Sequence, residues 1–238
     1  MPITLDATLP AASVSAEAYA LVTTSHDLIE EVMSAVQDAS YTEGAILELF
    51  NECLLELAGE FLLPDLEAWA DVATTANINQ TRLPADYMRE LRYAHSLTHN
   101  RPIRVYGSAA QIVRWFAVQD QAGRVIAVAP KGRNLFYQRV PGSAESIRIN
   151  YYRFPTRLQV RADKPLEIPW HLAKPLLKHY ALRELFSLIE DGMEGAKVNT
   201  AYHDKRFTAA KEALELFIGP EERLPVEYED EIKWEEYL

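Results

Sequence analysis

The sequence predicts an α+β protein: a four-helix bundle assembled from one helix pair near each end of the chain, with an antiparallel β-rich region inserted between them. Three observations carry this expectation. Apolar residues recur at helical spacing over 27–61 and again over 175–218. Between these stretches the period changes to two, as strands require. The link Ala39–Tyr41 is short enough to fold the first two helices back on each other, and helix pairs at both chain ends bury their apolar faces most simply by meeting.

The elements follow in order. Residues 1–24 are rich in Ala, Ser and Thr with little periodicity, and read as a flexible N-terminal arm. Asp27 with Glu30 three residues later has the form of a capping box opening a helix with Leu28, Ile29, Val32 and Val36 inward. Thr42 caps a second helix to about Phe61, which turns Ile46, Leu49, Phe50, Cys53 and Leu57 inward, and Pro64 stops it. Residues 64–167 form the inserted β-rich domain. Its first part, broken by the Pro84–Tyr87 turn, reads as weak strands and loops. Arg101–Tyr106 and Ser146–Phe154 alternate polar with apolar, and Arg124–Ala129 and Asn134–Val140 flank a Pro130–Arg133 hairpin turn. Ser108 caps a short helix, Ala109–Phe116. Residues 168–219 complete the bundle that 25–63 begins. Pro169 suits a first helical turn, and Pro175 predicts a short turn followed by a main helix at 175–191. The final helix, about 194–218, places Ala196, Thr200, His203, Phe207, Ala210, Leu214 and Phe217 in one narrow packing seam, closed by Gly219-Pro220.

Composition narrows the function classes. The chain has 238 residues, 48% hydrophobic and 25% charged, which is globular rather than disordered. The apolar run Ala45–Leu63 is interrupted by Glu48, Glu52, Glu56 and Glu60 at helical spacing, so no membrane-spanning segment is expected. The first 25 residues hold no Lys or Arg, so a signal peptide's basic region is missing. A single cysteine, Cys53, excludes an internal disulfide and suits a reducing compartment. Net charge is −11 but segregated: −13 over residues 1–100, +8 over 101–160 and −6 over 220–238. An acidic total disfavours a dedicated nucleic-acid binder, whereas separated charge of both signs suits subunits whose unlike faces meet.

Catalytic signatures are missing. The sequence has no G-x-S-x-G elbow, phosphate loop, G-x-G-x-x-G or H-E-x-x-H. His95 and His99 have ligand spacing for a helix but fall in a strand-and-turn context, and His171, His179 and His203 read as core or interface residues. No catalytic residue, metal site or cofactor is assigned. Two features remain. The basic middle alternates Arg or Lys with aromatics, either as ordinary strand composition or as a surface facing phosphates or an acidic partner. The tail after Pro220 is acidic yet carries Tyr228, Ile232, Trp234, Tyr237 and Leu238. Aromatic anchors on a charged segment fit docking on a neighbour, the alternative being a tail folded on its own domain.

A series of short blocks resembles the head-to-tail adaptor (connector or neck) proteins of tailed bacteriophages. They are Asp27–Val32, Asp38–Thr42, Ile46–Asn51, Leu83–Tyr87, Tyr151–Pro155, Ile168-Pro169, His179–Leu182, Glu190–Gly192, Ala196–Asn199 and Phe207. The resemblance implies a structural virion protein, not an enzyme. It would sit in the neck as a ring, usually of twelve copies, beneath the portal protein. The ring would join capsid to tail, contact a downstream neck or tail protein, and let DNA pass non-specifically through its lumen. It further implies that an extended terminal segment clasps the portal or a neighbouring subunit, and that Arg124, Lys131, Arg133 and Arg139 lie at subunit contacts or on the lumen. A stopper or tail-completion ring lower in the neck is the alternative in the same class. A DNA-binding regulator, or a small enzyme or ligand binder without a recognisable motif, are the alternatives outside it.

Overall fold

Among the described residues the periodicities resolve into five α-helices and seven strands. The computed structural model describes residues 25–219, apart from 39, 117, 119–120, 161–162 and 192–196, so the N-terminal arm and the acidic tail lie outside the described residues. The helices are α1 (Ser25–Val36), α2 (Glu43–Glu60), α3 (Ala109–Trp115), α4 (Trp170–Ile189) and α5 (Val198–Ile218). The strands are β1 (Glu67–Ala73), β2 (Gln80–Arg82), β3 (Tyr87–Ser96), β4 (Arg101–Val105), β5 (Ala127–Lys131), β6 (Asn134–Gln138) and β7 (Ser146–Arg153).

All seven strands join one curled sheet in the order β1-β7-β3-β4-β5-β6-β2. Its two edge strands approach each other at one end, where the Thr81 hydroxyl donates to the Ala73 carbonyl at 2.9 Å, so the sheet forms a half-barrel. Inside the curl lie Val72, Ala94, Ile103, Val128, Leu135, Tyr137, Ile147, Ile149 and Tyr151. On the outer face, Ile112 of α3 packs on Ala127, Ala129 and Phe136. A third cluster joins the other four helices and takes Tyr152 from β7.

This overturns the expected architecture. Two of the three buried clusters are built on the sheet, so the strands are an organising core and not an insertion into a four-helix bundle. Nor do the four long helices close around a shared axis. Helix α4, apolar on most of its circumference, is a hub on which α1, α2 and α5 each pack. The β region is also not purely antiparallel, because β4 and β5 run parallel. The residue pattern concealed that pairing: α3 carries the chain from β4 to β5, as a parallel crossover requires.

Local expectations divide. Thr42 caps α2 by accepting from the Ala45 N–H at 3.3 Å, and Gly219 ends α5 at φ 80°. Lys131 pairs with Asn134 across a turn whose Gly132 sits at φ 61°, as the hairpin reading required. Asp27 instead falls inside the first turn of α1, which begins at Ser25. Helix α4 does not break at Pro175 but runs through it. Only the bond to the carbonyl of His171 is forfeited, a single bond at the start of the helix, where His171 itself is exposed.

The helices and sheet are joined by polar bonds as well as by Tyr152. The Arg89 guanidinium of β3 donates to the carbonyls of Gly59, at 2.6 Å, and Phe61, at the end of α2. Asn51 of α2 exchanges two bonds with the Leu158 backbone, accepting at 2.8 Å and donating at 3.0 Å.

Candidate interaction surfaces

The basic residues singled out from the sequence do not converge. Lys131 and Arg133 lie exposed at the tip of the β5–β6 hairpin, with the Lys131 Nζ 5.4 Å from the Phe136 ring centre. The register sets Arg82 of β2 in the same row, across Asn134 from Lys131. Arg124 and Arg139 lie half-buried at the other end of the hairpin, roughly 17 Å away for a five-residue strand. There Arg139, at φ 43°, lays its side chain over Gly123, where an added Cβ would come within 3.0 Å of the Arg139 Cδ. The four residues therefore form two patches, and Arg82 joins the first. Pairing through β6, which no sequence period shows, brings it there.

Most of the aromatic-and-basic alternation in the middle of the chain is strand packing. Phe136, Tyr137, Tyr151 and Tyr152 are buried. The Tyr151 hydroxyl donates to Asp86 at 2.7 Å, and burial pushes the phenol far up. Arg148 is bidentate on Asp71, at 2.7 and 2.9 Å.

The histidines serve the fold. His95 lies in β3, 3.2 Å from Asn100 Oδ1, and His99 meets Glu145 at 3.2 Å. His179 of α4 and His203 of α5 bring their Nδ1 atoms to 3.0 Å, so one ring donates and the other accepts. Burial first, then His203, Lys178 and Arg206, hold His179 down at about 4, and burial lowers His203 as well. Among the described residues no three His, Cys, Asp or Glu side chains come together as a metal site. Cys53 is buried in the helical core, which pushes its thiol far above the usual range. No helix among the described residues is long and apolar enough to cross a membrane.

The packing seam of α5 is realised at its centre. Phe207, Ala210 and Leu214 are buried, Thr200 and His203 are half-buried, Phe217 is exposed, and Ala196 lies outside the described residues. Phe207 meets Tyr180 edge-on at 5.5 Å, beneath the Arg183 guanidinium. Arg183 in turn pairs with Glu184 at 2.8 Å and Asp204 at 3.5 Å, tying α4 to α5. Glu190, one residue past α4, accepts from the N–H groups of Asn199 and Thr200 and from the Thr200 hydroxyl, so its carboxylate caps α5.

The surfaces that sequence reasoning missed are exposed apolar faces. Helix α5 carries a second stripe opposite its seam: Val198, Tyr202, Ala209, Ala213 and Leu216, the last 84% exposed. Val113 and Trp115 project from α3, with Trp115 69% exposed. On the outer sheet face Trp69, 57% exposed, meets Tyr93 edge-on at 5.8 Å. The spacing of the α5 stripe could have been read beforehand, although its alanines weaken the signal. For Trp69 and Trp115 nothing in the sequence distinguishes an outward from an inward tryptophan.

Large apolar side chains standing in water on three separate elements mark a chain built to be covered by other chains. Comparison with known families agrees. The family model of the SU10 adaptor protein matches residues 23–224, and the chain belongs to that family. It is a structural adaptor protein of a phage virion, as the resemblance to head-to-tail adaptors implied, and the family is not one of enzymes. No curated protein matches the chain.

Proposed function

We propose that this adaptor forms a homo-oligomeric ring, a dodecamer, beneath the portal in the neck of the particle, joining capsid to tail and leaving a lumen through which DNA passes. The observation that carries the reading is the set of exposed apolar side chains on three separate elements, α5, α3 and the outer sheet face. The α5 stripe suits a neighbouring subunit, its small Ala209 and Ala213 letting another helix approach closely. Trp115 and Val113 suit the portal or the downstream neck protein, where an aromatic anchor in a desolvated pocket dominates affinity. Tyr228, Ile232, Trp234, Tyr237 and Leu238 supply the clasp on the portal or a neighbouring subunit.

The cationic patches serve as subunit contacts or line the lumen. Lys131, Arg133 and Arg82 have no carboxylate within ion-pair distance among the described residues, whereas Arg139 lies over the backbone at Gly123. A net charge of −11 keeps the ring from gripping DNA that must move through it. Mixing the purified chain with its portal and imaging the product tests the reading. A closed ring stacked on the portal is the expected result. A chain that stays monomeric and leaves the portal bare refutes it, and a ring bound lower in the neck selects the stopper or tail-completion role.

A further inference from the structure

Strand β1 is an open edge of the half-barrel. The Thr74 N–H donates to the Glu145 carbonyl at 2.8 Å, so by antiparallel alternation Val72, Ala70 and Ala68 point their backbone groups at β7. Glu67, Trp69, Asp71 and Ala73 therefore point theirs outward. The Glu67 N–H is taken by the Pro64 carbonyl and the Ala73 carbonyl by Thr81, which leaves the outward groups of Trp69 and Asp71 for another strand. An uncovered edge with an exposed tryptophan beside it is a template for another strand.

A segment with strand periodicity follows the last described helix, whose end lies close to that edge. Val226, Tyr228, Ile232, Trp234 and Leu238 occupy even positions, interrupted by Asp230 and Glu236, while Glu227, Glu229, Glu231, Lys233 and Glu235 occupy odd ones, a row that ends in Tyr237. On a helix these apolar residues would scatter around the circumference; on a strand they form one row. The chain leaves the described residues at Gly219, from a groove where Phe217 and Ile218 meet Leu63, Pro64 and Asp65, immediately ahead of β1. The proline-bounded linker 220–225 spans about 19 Å at ~3.1 Å per residue, and 226–238 as a strand spans about 43 Å, against about 23 Å for β1.

We infer that residues 226–238 of one copy add as an eighth strand to the β1 edge of a neighbouring copy, an inference that rests on the ring reading above. The apolar row lies on the Trp69 side. The acidic row lies on the opposite face, beside the small, half-buried Ala68 and Ala70 at the margin of the curl's interior. Donor segment and acceptor edge are different surfaces, so the contact repeats head to tail, the kind of contact that closes into rings.

Paired cysteines test this. In the full chain, Ala70→Cys is combined in turn with Glu229→Cys, Glu231→Cys, Lys233→Cys and Glu235→Cys, and assembled rings are oxidised. The expected result is a ladder of covalent dimers and higher oligomers for at least one pair. Rings that yield only intramolecular disulfides, or none, overturn the inference and leave the ring reading standing. A chain that never assembles, even with portal, removes both. Hydrogen exchange gives a second readout. The 67–73 peptide should exchange at least tenfold more slowly in wild-type rings than after deletion of 221–238. Equal exchange refutes the pairing.

Discussion

Two leucines a fraction of a turn apart on α5 separate folding from assembly. Leu214 is 1% exposed in the seam against α4, and Leu216 is 84% exposed on the opposite stripe. Leu214→Ala removes the same atoms as Leu216→Ala but leaves a cavity, at a cost of about 2–5 kcal/mol. For a chain of this size each kcal/mol moves Tm by roughly 2–4 °C, so the monomer should melt about 5–15 °C lower. Leu216→Ala removes nothing from the monomer core and should change its stability by less than about 0.5 kcal/mol. If the stripe is buried between subunits, the leucine contributes about 1.5–3 kcal/mol per contact, a loss of roughly 10- to 100-fold in each subunit-subunit association constant. Thermal melting of dilute protein and sedimentation across a concentration series read the two effects separately. A Leu216→Ala variant that melts like Leu214→Ala, or that assembles like wild type, contradicts the two-seam description of α5.

Further expectations concern other sites. His179 and His203 are held neutral in the fold, so the unfolded chain binds more protons below their ordinary pKa of about 6.5. Stability should be full above that value and fall as pH drops towards about 4. Replacing both rings by phenylalanine should flatten this slope in Tm measurements between pH 7 and 4. Hydrogen bonds from Thr200 hold Glu190 below its ordinary range. The stability it contributes is therefore present above the unfolded carboxylate pKa and lost as pH falls through its lower folded value. Glu190→Gln should weaken the cap and cut the acid sensitivity of Tm. Trp115→Ala should leave the melting curve unchanged while reducing portal or neck-protein binding at least tenfold by titration. Deleting 221–238 should give a folded chain that assembles poorly, with Trp234→Ala reproducing much of the loss. Unaltered assembly would remove the tail from the interface.

What the sequence made legible was local. The boundaries of α2, the β5–β6 turn and the end of α5 follow from Thr42, Gly132 and Gly219, whose effects are confined to a few residues. Pairing over long distances was not legible. Strand β7 lies between β1 and β3, and its pairing with β3 includes register shifts from Tyr87 to Tyr93, so no clean alternation marks β3 in the sequence. Treating 66–106 as loosely structured then made the sheet seem an appendage of the helices. Pro175 misled for a different reason: proline's penalty depends on which carbonyl loses its partner, and here the loss is one bond near the helix start, to the exposed residue His171. The contact surfaces were half legible, because an apolar residue advertises a need for burial without saying whether its own chain or another will meet it.

The bonds from Arg89 to the end of α2 carry a mechanical consequence. A cation set on the last carbonyls of a helix is favourably placed against its dipole, and here the cation belongs to the sheet. To tilt, the half-barrel would have to break both of those bonds and draw Tyr152 out of the helical core. A pull applied to the strands therefore meets the helices first at the last turn of α2 and at Tyr152.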